Sequence, residues 1–367
     1  MIRGGEVISG PWPSRSAAAW GPGGAVFGPA TLTGSVTVNG VKTPLTGVNQ
    51  ESANNDLVLN MSVAGRAEFK EEGVHVLLKT EGSLRPASAF SAEVVRVIEG
   101  EKLFEIPAGS AVLSAAGKSA EAFKTLPPGT MISIEVSLGG FDFSKVTEAA
   151  AGGPMLLRAG KALADGSGEG FSAAFWNDRH PRTAIGSTAT GDVWLVVADG
   201  RQAGLSRGVS LTELGAIMQR LGCTDAINLD GGGSSDFVLA GMSVNRPSGG
   251  APRPVANGIL IYAASPLPEL QGDAAPTVIQ GRPTLTMGVF NQYKVLDGKG
   301  NPIDNAQVIW SAQGAAWVDQ GGFLRGLKAG EAVLRAWVAG KVLEVKVMVE
   351  DPAAPPAAPP TGTPSKS

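Results

Sequence analysis

An acidic residue followed by three consecutive glycines and two serines is the part of this sequence best suited to chemistry. The run is Asn228-Leu229-Asp230-Gly231-Gly232-Gly233-Ser234-Ser235. Because glycine adopts positive φ at little steric cost, successive N–H groups can curve into a nest that binds an anion. Asp230 would add a fixed carboxylate, and Ser234 and Ser235 would add hydroxyl donors. The run fits a substrate that carries both a sugar and a phosphate; a Gly-rich hairpin turn with Asp230 as a turn residue is the alternative.

A strand, a helix and a second strand are predicted before this run. Residues 192–198 are rich in Val and Leu, which predicts a buried strand. Ser210 and Glu213 have the spacing of a capping box at a helix start, and Gly222 is suited to end that helix. Residues 226–229 predict the next strand. Such a unit most simply gives two parallel strands joined by a right-handed crossover.

Further candidate site residues stand where these elements end. Since parallel strands finish at the same edge of a sheet, Asp199 and Arg201 would lie near Asp230, at the edge where α/β proteins bind ligands. Arginine recognises phosphate in a bidentate manner better than lysine does. Besides Arg201 and the glycine–serine run (Gly231, Gly232, Gly233, Ser234 and Ser235), the predicted substrate-binding residues are Arg182, Thr183, Asn228, Asn245 and Arg246.

These residue types suit cleavage of a sugar-1-phosphodiester at its C1–O bond. The leaving group would be a phosphate monoester with a second pKa of about 6, so it needs charge stabilisation more than protonation. The sugar cation that develops needs a carboxylate, as nucleophile or general base. Asp230 and Asp199 are the first candidates, and Glu213 is the third, although its capping-box role is the simpler explanation. Cleavage of the O–P bond on the same site is an alternative.

The order of motifs along residues 150–262 resembles the phosphodiester glycosidase family. The motifs are HPRTAIG (180–186), VVADGR (196–201), SLTELGAIMQRLG (210–222), DAINLDGGGSSDF (225–237), VNRPS (244–248) and RPVANGILI (253–261). The resemblance implies a bacterial hydrolase that releases a free sugar from an N-acetylglucosamine-1-phospho-type substrate or a cell-envelope glycan. Family members usually carry an Asn-Gly-Gly-Phe-Phe-like segment upstream, so we expect this chain to be truncated at its N terminus.

Composition excludes several other classes. Two histidines and one cysteine make a zinc site of Cys and His ligands a poor fit. A net charge of −3 gives no electrostatic case for nucleic acid, and no apolar run is long enough for a transmembrane helix. A Ser–His–Asp arrangement of Ser234 or Ser235 with His180 lacks a Gly-x-Ser-x-Gly motif. No cofactor is predicted, and a divalent cation held by carboxylates stays open.

The predicted fold class is α+β, with a mixed β-sheet catalytic domain over residues 1–264. Residues 265–275 predict a linker, and residues 276–350 resemble a bacterial Ig-like group 2 sandwich in which Trp310 packs in the core. Residues 351–367 are rich in Pro and Ala and predict a disordered tail. This organisation favours an extracellular or cell-surface protein that acts on a glycan or sugar phosphate, including a cell-wall polymer. A non-catalytic wall-binding protein of the same fold is the alternative.

Overall fold

The computed structural model describes residues 1–352 except 12–14, 54, 71, 81 and 263–269. Residues 265–269 of the predicted linker, and the predicted tail from residue 353 onward, therefore lie outside the described residues. None of the described helices is long and apolar enough to span a membrane.

The described chain forms two compact units that alternate along the sequence. The first unit consists of Met1–Asp178, Thr183–Val196 and Val209–Asp230. The second consists of Arg179–Arg182, Val197–Gly208 and the described residues from Gly231 onward. Residues 231–262 therefore cluster with the described residues from 270 onward, and the predicted domain boundaries stay a prediction.

The first unit begins with a largely antiparallel β region. Its strands are β1 (Ile2–Arg3), β2 (Glu6–Val7), β3 (Ser16–Gly21), β4 (Gly24–Pro29), β5 (Thr31–Val38), β6 (Val41–Pro44), β7 (Gly47–Val48), β8 (Leu57–Met61), β9 (Arg66–Glu68), β10 (Gly73–Lys79), β11 (Ala87–Glu99), β12 (Leu103–Glu105), β13 (Ser110–Ala116), β14 (Met131–Gly139) and β15 (Glu148–Ala151). The larger sheet has the order β6-β5-β14-β11-β10-β13-β8-β7, and a second has the order β2-β1-β15-β3-β4.

Alternation along the strands explains how the larger sheet builds a core. In β14, Ile132, Ile134 and Val136 are buried, while Ser133 and Glu135 between them are exposed. Successive side chains of a strand point to opposite faces, so this alternation buries one apolar face. The buried face of β14 joins one large apolar cluster with side chains from β5, β8, β10, β11 and β13.

A group of polar side chains is nevertheless buried in this sheet. His75 of β10 is opposite Ser114 of β13, and its Nδ1 lies 3.0 Å from the Ser114 Oγ. Asn60 of β8 donates to the same Oγ at 3.1 Å. The His75 ring also stacks on Phe69, with 4.1 Å between ring centroids. Burial lowers the pKa of His75 to about 4, because an apolar surrounding disfavours the charged ring.

A smaller sheet with two helices completes the first unit. Its elements are β16 (Met155–Arg158), β17 (Lys161–Ala162), α1 (Ala173–Asn177), β18 (Arg182–Thr188), β19 (Val193–Ala198), α2 (Leu211–Arg220) and β20 (Cys223–Asn228). The sheet order is β17-β16-β20-β18-β19. Leu211, Leu214 and Met218 of α2 are buried in one apolar cluster with Leu156 and Ala226 of the sheet, as helical spacing of apolar residues predicts.

The structure places one further strand between the two strands that were predicted to be parallel. β19 and β20 are not adjacent, because β18 lies between them. β18 runs antiparallel to β20, with Ala184 opposite Asn228, and the short turn after Thr188 joins it to β19 as a hairpin. β19 and β20 therefore run in the same direction, as the sequence predicted, and the strand that separates them is the one that begins at Arg182.

The second unit contains an all-β module. Two short strands, β21 (Val238–Leu239) and β22 (Met242–Ser243), precede it. The strands of the module are β23 (Pro276–Gln280), β24 (Thr284–Thr286), β25 (Phe290–Gln292), β26 (Lys294–Asp297), β27 (Ile309–Gly314), β28 (Ala316–Val318), β29 (Phe323–Gly326), β30 (Gly330–Val338) and β31 (Lys341–Glu350). They form sheets of order β24-β31-β30-β27, β25-β29-β28 and β23-β26.

The module has its own core, in which Trp310 is fully buried, as predicted. Trp317 and Trp337 are half-buried. The Ig-like character of this module stays a prediction. Short 3-10 helices punctuate both units, at Ser62–Ala64, Gly117–Ala122, Phe143–Lys145, Ser167–Glu169, Gly232–Ser234, Gly272–Ala274 and Asn305–Gln307.

Candidate functional site

The first unit supplies the residues that lead into the glycine run. Asn228 ends β20 almost entirely buried, and its Nδ2 donates to the Gly153 carbonyl at 2.9 Å. The Leu229 N–H donates to the Thr183 carbonyl at 2.8 Å, which continues the pairing of β20 with β18 for one more residue. Asp230, the last residue of this unit, is exposed. The buried strand β20 therefore ends two residues before the exposed carboxylate of Asp230.

Glu213 is engaged at the start of α2. The Ser210 N–H donates to Glu213 Oε2 at 2.9 Å, and the Glu213 N–H donates to Ser210 Oγ at 3.2 Å. This reciprocal pair is the predicted capping box, and it satisfies two N–H groups that the helix leaves without an intrahelical partner. The observed contacts of Glu213 are those of a helix cap, the simpler of its two predicted roles.

In the second unit, the glycine run passes so close to its neighbours that side chains would not fit. A Cβ on Gly231 would lie 2.8 Å from the Pro181 carbonyl oxygen. That oxygen also accepts a hydrogen bond from the Gly232 N–H at 2.9 Å. Gly232 has a φ of +64°, a conformation that costs residues with a Cβ about 1–2 kcal/mol. Glycine is thus required by both space and backbone conformation.

Two guanidinium groups lie against this run. The Arg201 Nη1 would be 3.1 Å from a Cβ on Gly232, and the Arg253 Cδ would be 3.3 Å from a Cβ on Gly233. The Arg253 guanidinium donates to Ser234 Oγ, from Nε at 3.0 Å and also from Nη2. Two positive charges, a hydroxyl group and a bare backbone therefore meet within a few residues. We call Arg201, Arg253 and Gly231–Ser235 the cradle.

His180 orients one of these arginines. The Arg201 Nε donates to His180 Nδ1 at 3.3 Å, which requires an unprotonated Nδ1. Arg201 itself has a φ of +57°, so its backbone turns sharply just after β19. The sequence singled out His180 only as an alternative partner of the serines, and it named Arg253 only within a motif. Both belong to the ordered motif series, which is the signal that could have found them.

Asp199 joins two loops. Its Oδ1 accepts from Asn245 Nδ2 at 3.0 Å, and both of its carboxylate oxygens accept from the Arg246 N–H at 3.0 Å. Burial raises the pKa of Asp199, and a nearby Asp236 adds to the rise, while the bonds from Asn245 and Arg246 oppose it. The carboxylate thus fixes the loops at 199 and 245 to one another.

The Arg246 side chain binds the all-β module. Its Nη1 donates to the Ala316 carbonyl at 2.6 Å and its Nη2 to the Gly314 carbonyl at 2.8 Å, both in the all-β module. Burial lowers the pKa of the Arg246 guanidinium, and the charge of Asp199 opposes this effect. Arg246 was predicted to bind substrate, but its hydrogen-bonding fork is occupied by these two carbonyl groups.

The remaining predicted residues are placed as follows. Arg182 is almost entirely buried, with 2% of its surface exposed, and Thr183 is half-buried. Ser235 is buried at the end of the glycine run. Within the residues that the structure describes, no group of three or more His, Cys, Asp or Glu side chains is arranged to hold a metal ion.

Comparisons with known proteins agree with the resemblance in the motifs. Residues 88–262 match the model of the family described as Phosphodiester glycosidase. The human protein N-acetylglucosamine-1-phosphodiester alpha-N-acetylglucosaminidase is 40% identical over 79 residues, which are 22% of this chain and 15% of that protein. The SPbeta prophage-derived uncharacterized protein YomE of Bacillus subtilis (strain 168) is 35% identical over 85 residues, 23% of this chain and 13% of that protein.

A solved structure shows that the fold is shared more widely. The crystal structure of a hypothetical protein from Synechocystis aligns with a TM-score of 0.58 at 24% sequence identity, over 67% of this chain and 45% of that one. The chain thus spans a small part of the curated relatives it matches and less than half of this structural neighbour.

Proposed function

We propose that this protein is a glycosidase that hydrolyses the C1–O bond of a sugar-1-phosphodiester. The observation that carries the proposal is the cradle, in which the Arg201 and Arg253 guanidinium groups lie against two consecutive glycines. Arginine guanidinium groups recognise the oxygens of a phosphate diester through charge-assisted hydrogen bonds. The name of the human relative, an N-acetylglucosamine-1-phosphodiester alpha-N-acetylglucosaminidase, suggests N-acetylglucosamine as the sugar.

The chemistry divides between the cradle and a carboxylate. As the C1–O bond breaks, its electron pair goes to the phosphate oxygen, and Arg201 and Arg253 stabilise that charge. Asp230, which directly precedes Gly231 in the chain, supports the sugar cation as nucleophile or as general base for water. Water supplies a hydroxyl group to C1, and the products are a free sugar and a phosphomonoester. Asp199 serves as a structural anchor in this scheme, because its oxygens are engaged by Asn245 and Arg246.

The substrate class extends to a polymer of the cell envelope, and the protein would then act outside the cell or at its surface. The family match supports a hydrolase of phosphodiester-linked sugars, and the choice of glycan or small sugar phosphate belongs to this proposal. The non-catalytic alternative would use the same cradle to hold a wall glycan without turnover.

The test is hydrolysis of a synthetic N-acetylglucosamine-1-phosphodiester in water enriched in ¹⁸O. We expect the label in the free sugar, because water attacks C1; label in the phosphate would instead mean O–P cleavage and would overturn the proposal. We expect Asp230→Asn to reduce kcat by about 10³-fold while the binding of inorganic phosphate is retained. Asp165→Asn, the same change at an exposed loop carboxylate that binds Ser167, is the matched control.

Two further outcomes decide between the alternatives. Retention of full turnover in Asp230→Asn would remove Asp230 from the reaction. Binding of the diester by the unmodified protein, with no release of free sugar or phosphomonoester, would favour the wall-binding alternative.

A further inference from the structure

The loop that carries Arg201 is closed by its own hydrogen bonds. In residues 199–208, which we call the Arg201 loop, the Gln202 N–H donates to the Ser206 carbonyl at 3.0 Å. The Ser206 Oγ donates to the Asp199 carbonyl at 2.6 Å and accepts from the Gly208 N–H at 3.2 Å. These contacts fix the shape of the loop, but they do not fix it to the rest of the second unit.

Arg246 provides that attachment through three separate groups. Its backbone N–H donates to the Asp199 carboxylate, at the start of the loop. Its carbonyl accepts from Gln202 Nε2 at 2.6 Å. Its guanidinium binds the Gly314 and Ala316 carbonyls, where β27 ends and β28 begins. One residue thus holds the loop with its main chain and the module with its side chain.

Two weaker attachments lie on either side of Arg246. The Ser311 Oγ of the module donates to the Ser243 carbonyl in a buried hydrogen bond. The Arg325 Nη1 donates to the Gly204 carbonyl at 3.1 Å, at the tip of the loop. The Arg325 guanidinium also lies over the Phe290 ring, with 5.3 Å to its centroid. The module therefore contacts the Arg201 loop directly at its tip and indirectly at its base.

We propose that the all-β module is a positioning element for the cradle, and that Arg246 is the positioning residue that connects them. The module holds Arg246, Arg246 holds the Arg201 loop, and the loop directs the Arg201 guanidinium towards Gly232. The catalytic part of this inference rests on the proposed function, since it assigns to Arg246 a role in positioning instead of in phosphate binding. The mechanical part concerns only contacts within the second unit.

Limited proteolysis of the full-length chain tests the mechanical part without any substrate. Trypsin cleaves after arginine, and Arg207 is an exposed arginine of the Arg201 loop. Arg246→Ala keeps the main-chain bonds to the loop and removes the bonds that hold residue 246 to the module. A loop whose support is less constrained opens locally more often, so we expect this variant to accelerate cleavage after Arg207 by about tenfold. Arg325→Ala, which removes the contact at the tip together with the contact to Phe290 within the module, should accelerate it less.

Two control variants separate release of the loop from general damage. Arg282→Ala removes another exposed arginine of the module, in the segment between β23 and β24. It should leave cleavage after Arg207 unchanged. Arg201→Ala should weaken the binding of inorganic phosphate, and because it removes only the loop's bond to His180, it should accelerate cleavage less than Arg246→Ala does. In each variant, thermal unfolding followed by circular dichroism reports whether the protein stays folded.

Activity towards the N-acetylglucosamine-1-phosphodiester tests the catalytic part. We expect Arg246→Ala to lower kcat about tenfold with a smaller change in KM, because a misdirected Arg201 loses most in the transition state. Weaker phosphate binding without faster cleavage after Arg207 would overturn the inference, since it would mean that Arg246 binds the anion itself. If the unmodified protein shows no turnover, the proposed function fails, and cleavage after Arg207 still decides whether Arg246 holds the loop.

Discussion

Polar side chains gather in two regions of this molecule, with opposite consequences. In the larger sheet of the first unit, His75, Ser114 and Asn60 hydrogen-bond within one buried group. In the second unit, Arg201 and Arg253 lie at the surface beside bare glycines. The buried group is a part of the fold and is sensitive to protons, whereas the exposed one has the composition of an anion site. Polarity alone therefore does not mark a candidate site; the proposed function rests on arginines that are exposed beside the glycine run.

The largest effect expected from this contrast concerns the buried group. The pKa of His75 is about 4 in the folded chain against about 6.5 in an unfolded one. Between these values only the unfolded chain takes up the proton, so stability falls as the pH falls from 6.5 to 4. The difference corresponds to roughly 3 kcal/mol.

Urea unfolding of the unmodified protein and of His75→Phe at pH 7.5, 5.5 and 4.5 measures this effect. The aromatic replacement keeps a ring beside Phe69 and removes the titrating group. We expect the two stability curves to converge as the pH falls. Parallel stability curves would show that the pKa of His75 does not differ between the folded and unfolded chains. The buried group would then not be sensitive to protons, which contradicts the comparison.

The next effect concerns the exposed group. Arg201→Ala should lower kcat/KM about 10²-fold, as the removal of one transition-state donor typically does, with no loss of thermal stability. Arg207→Ala, a neighbouring exposed arginine in the same loop, is the matched control. A large fall in stability for Arg201→Ala would mean that this arginine belongs to the fold, like His75, and would break the comparison.

The smallest effect concerns the backbone between the two arginines. Gly232→Ala places a Cβ at a φ of +64° and 3.1 Å from Arg201 Nη1. We expect a stability loss of about 1 kcal/mol from the backbone conformation and weaker binding of inorganic phosphate from the displaced guanidinium. Isothermal titration with phosphate measures the second effect. Gly241→Ala, also at positive φ but with open space around it, should show only the stability loss.

The sequence predicted what is encoded locally. The capping box of Ser210 and Glu213 is confirmed, and α2 begins at Leu211, because both signals lie within one helical turn. Gly222 follows the helix with a φ of +83°, as a residue suited to that position should. The glycine run could be identified as a candidate anion site, because three consecutive glycines are seldom required for another structural reason.

The features that the sequence could not predict depend on contacts between residues that lie far apart in the chain. The insertion of β18 between β19 and β20 follows from pairing across about 40 residues, and no pattern within a strand specifies its neighbour. The bonds of Arg246 span 68 and 70 residues to Gly314 and Ala316, and no local pattern indicates such partners. His75 was passed over because burial of a single histidine leaves no periodic signal.

The alternation of the chain between the two units bears on how the protein is made. The chain changes unit five times, and the first unit is complete once Asp230 has been synthesised. Domains generally begin to fold during synthesis, starting from the N terminus. Residues 199–208 of the Arg201 loop then await partners that follow Asp230 in the chain, among them Gly232 and Arg246. A ribosome that stops after Asp230 would release a chain with most of its apolar core and without its cradle.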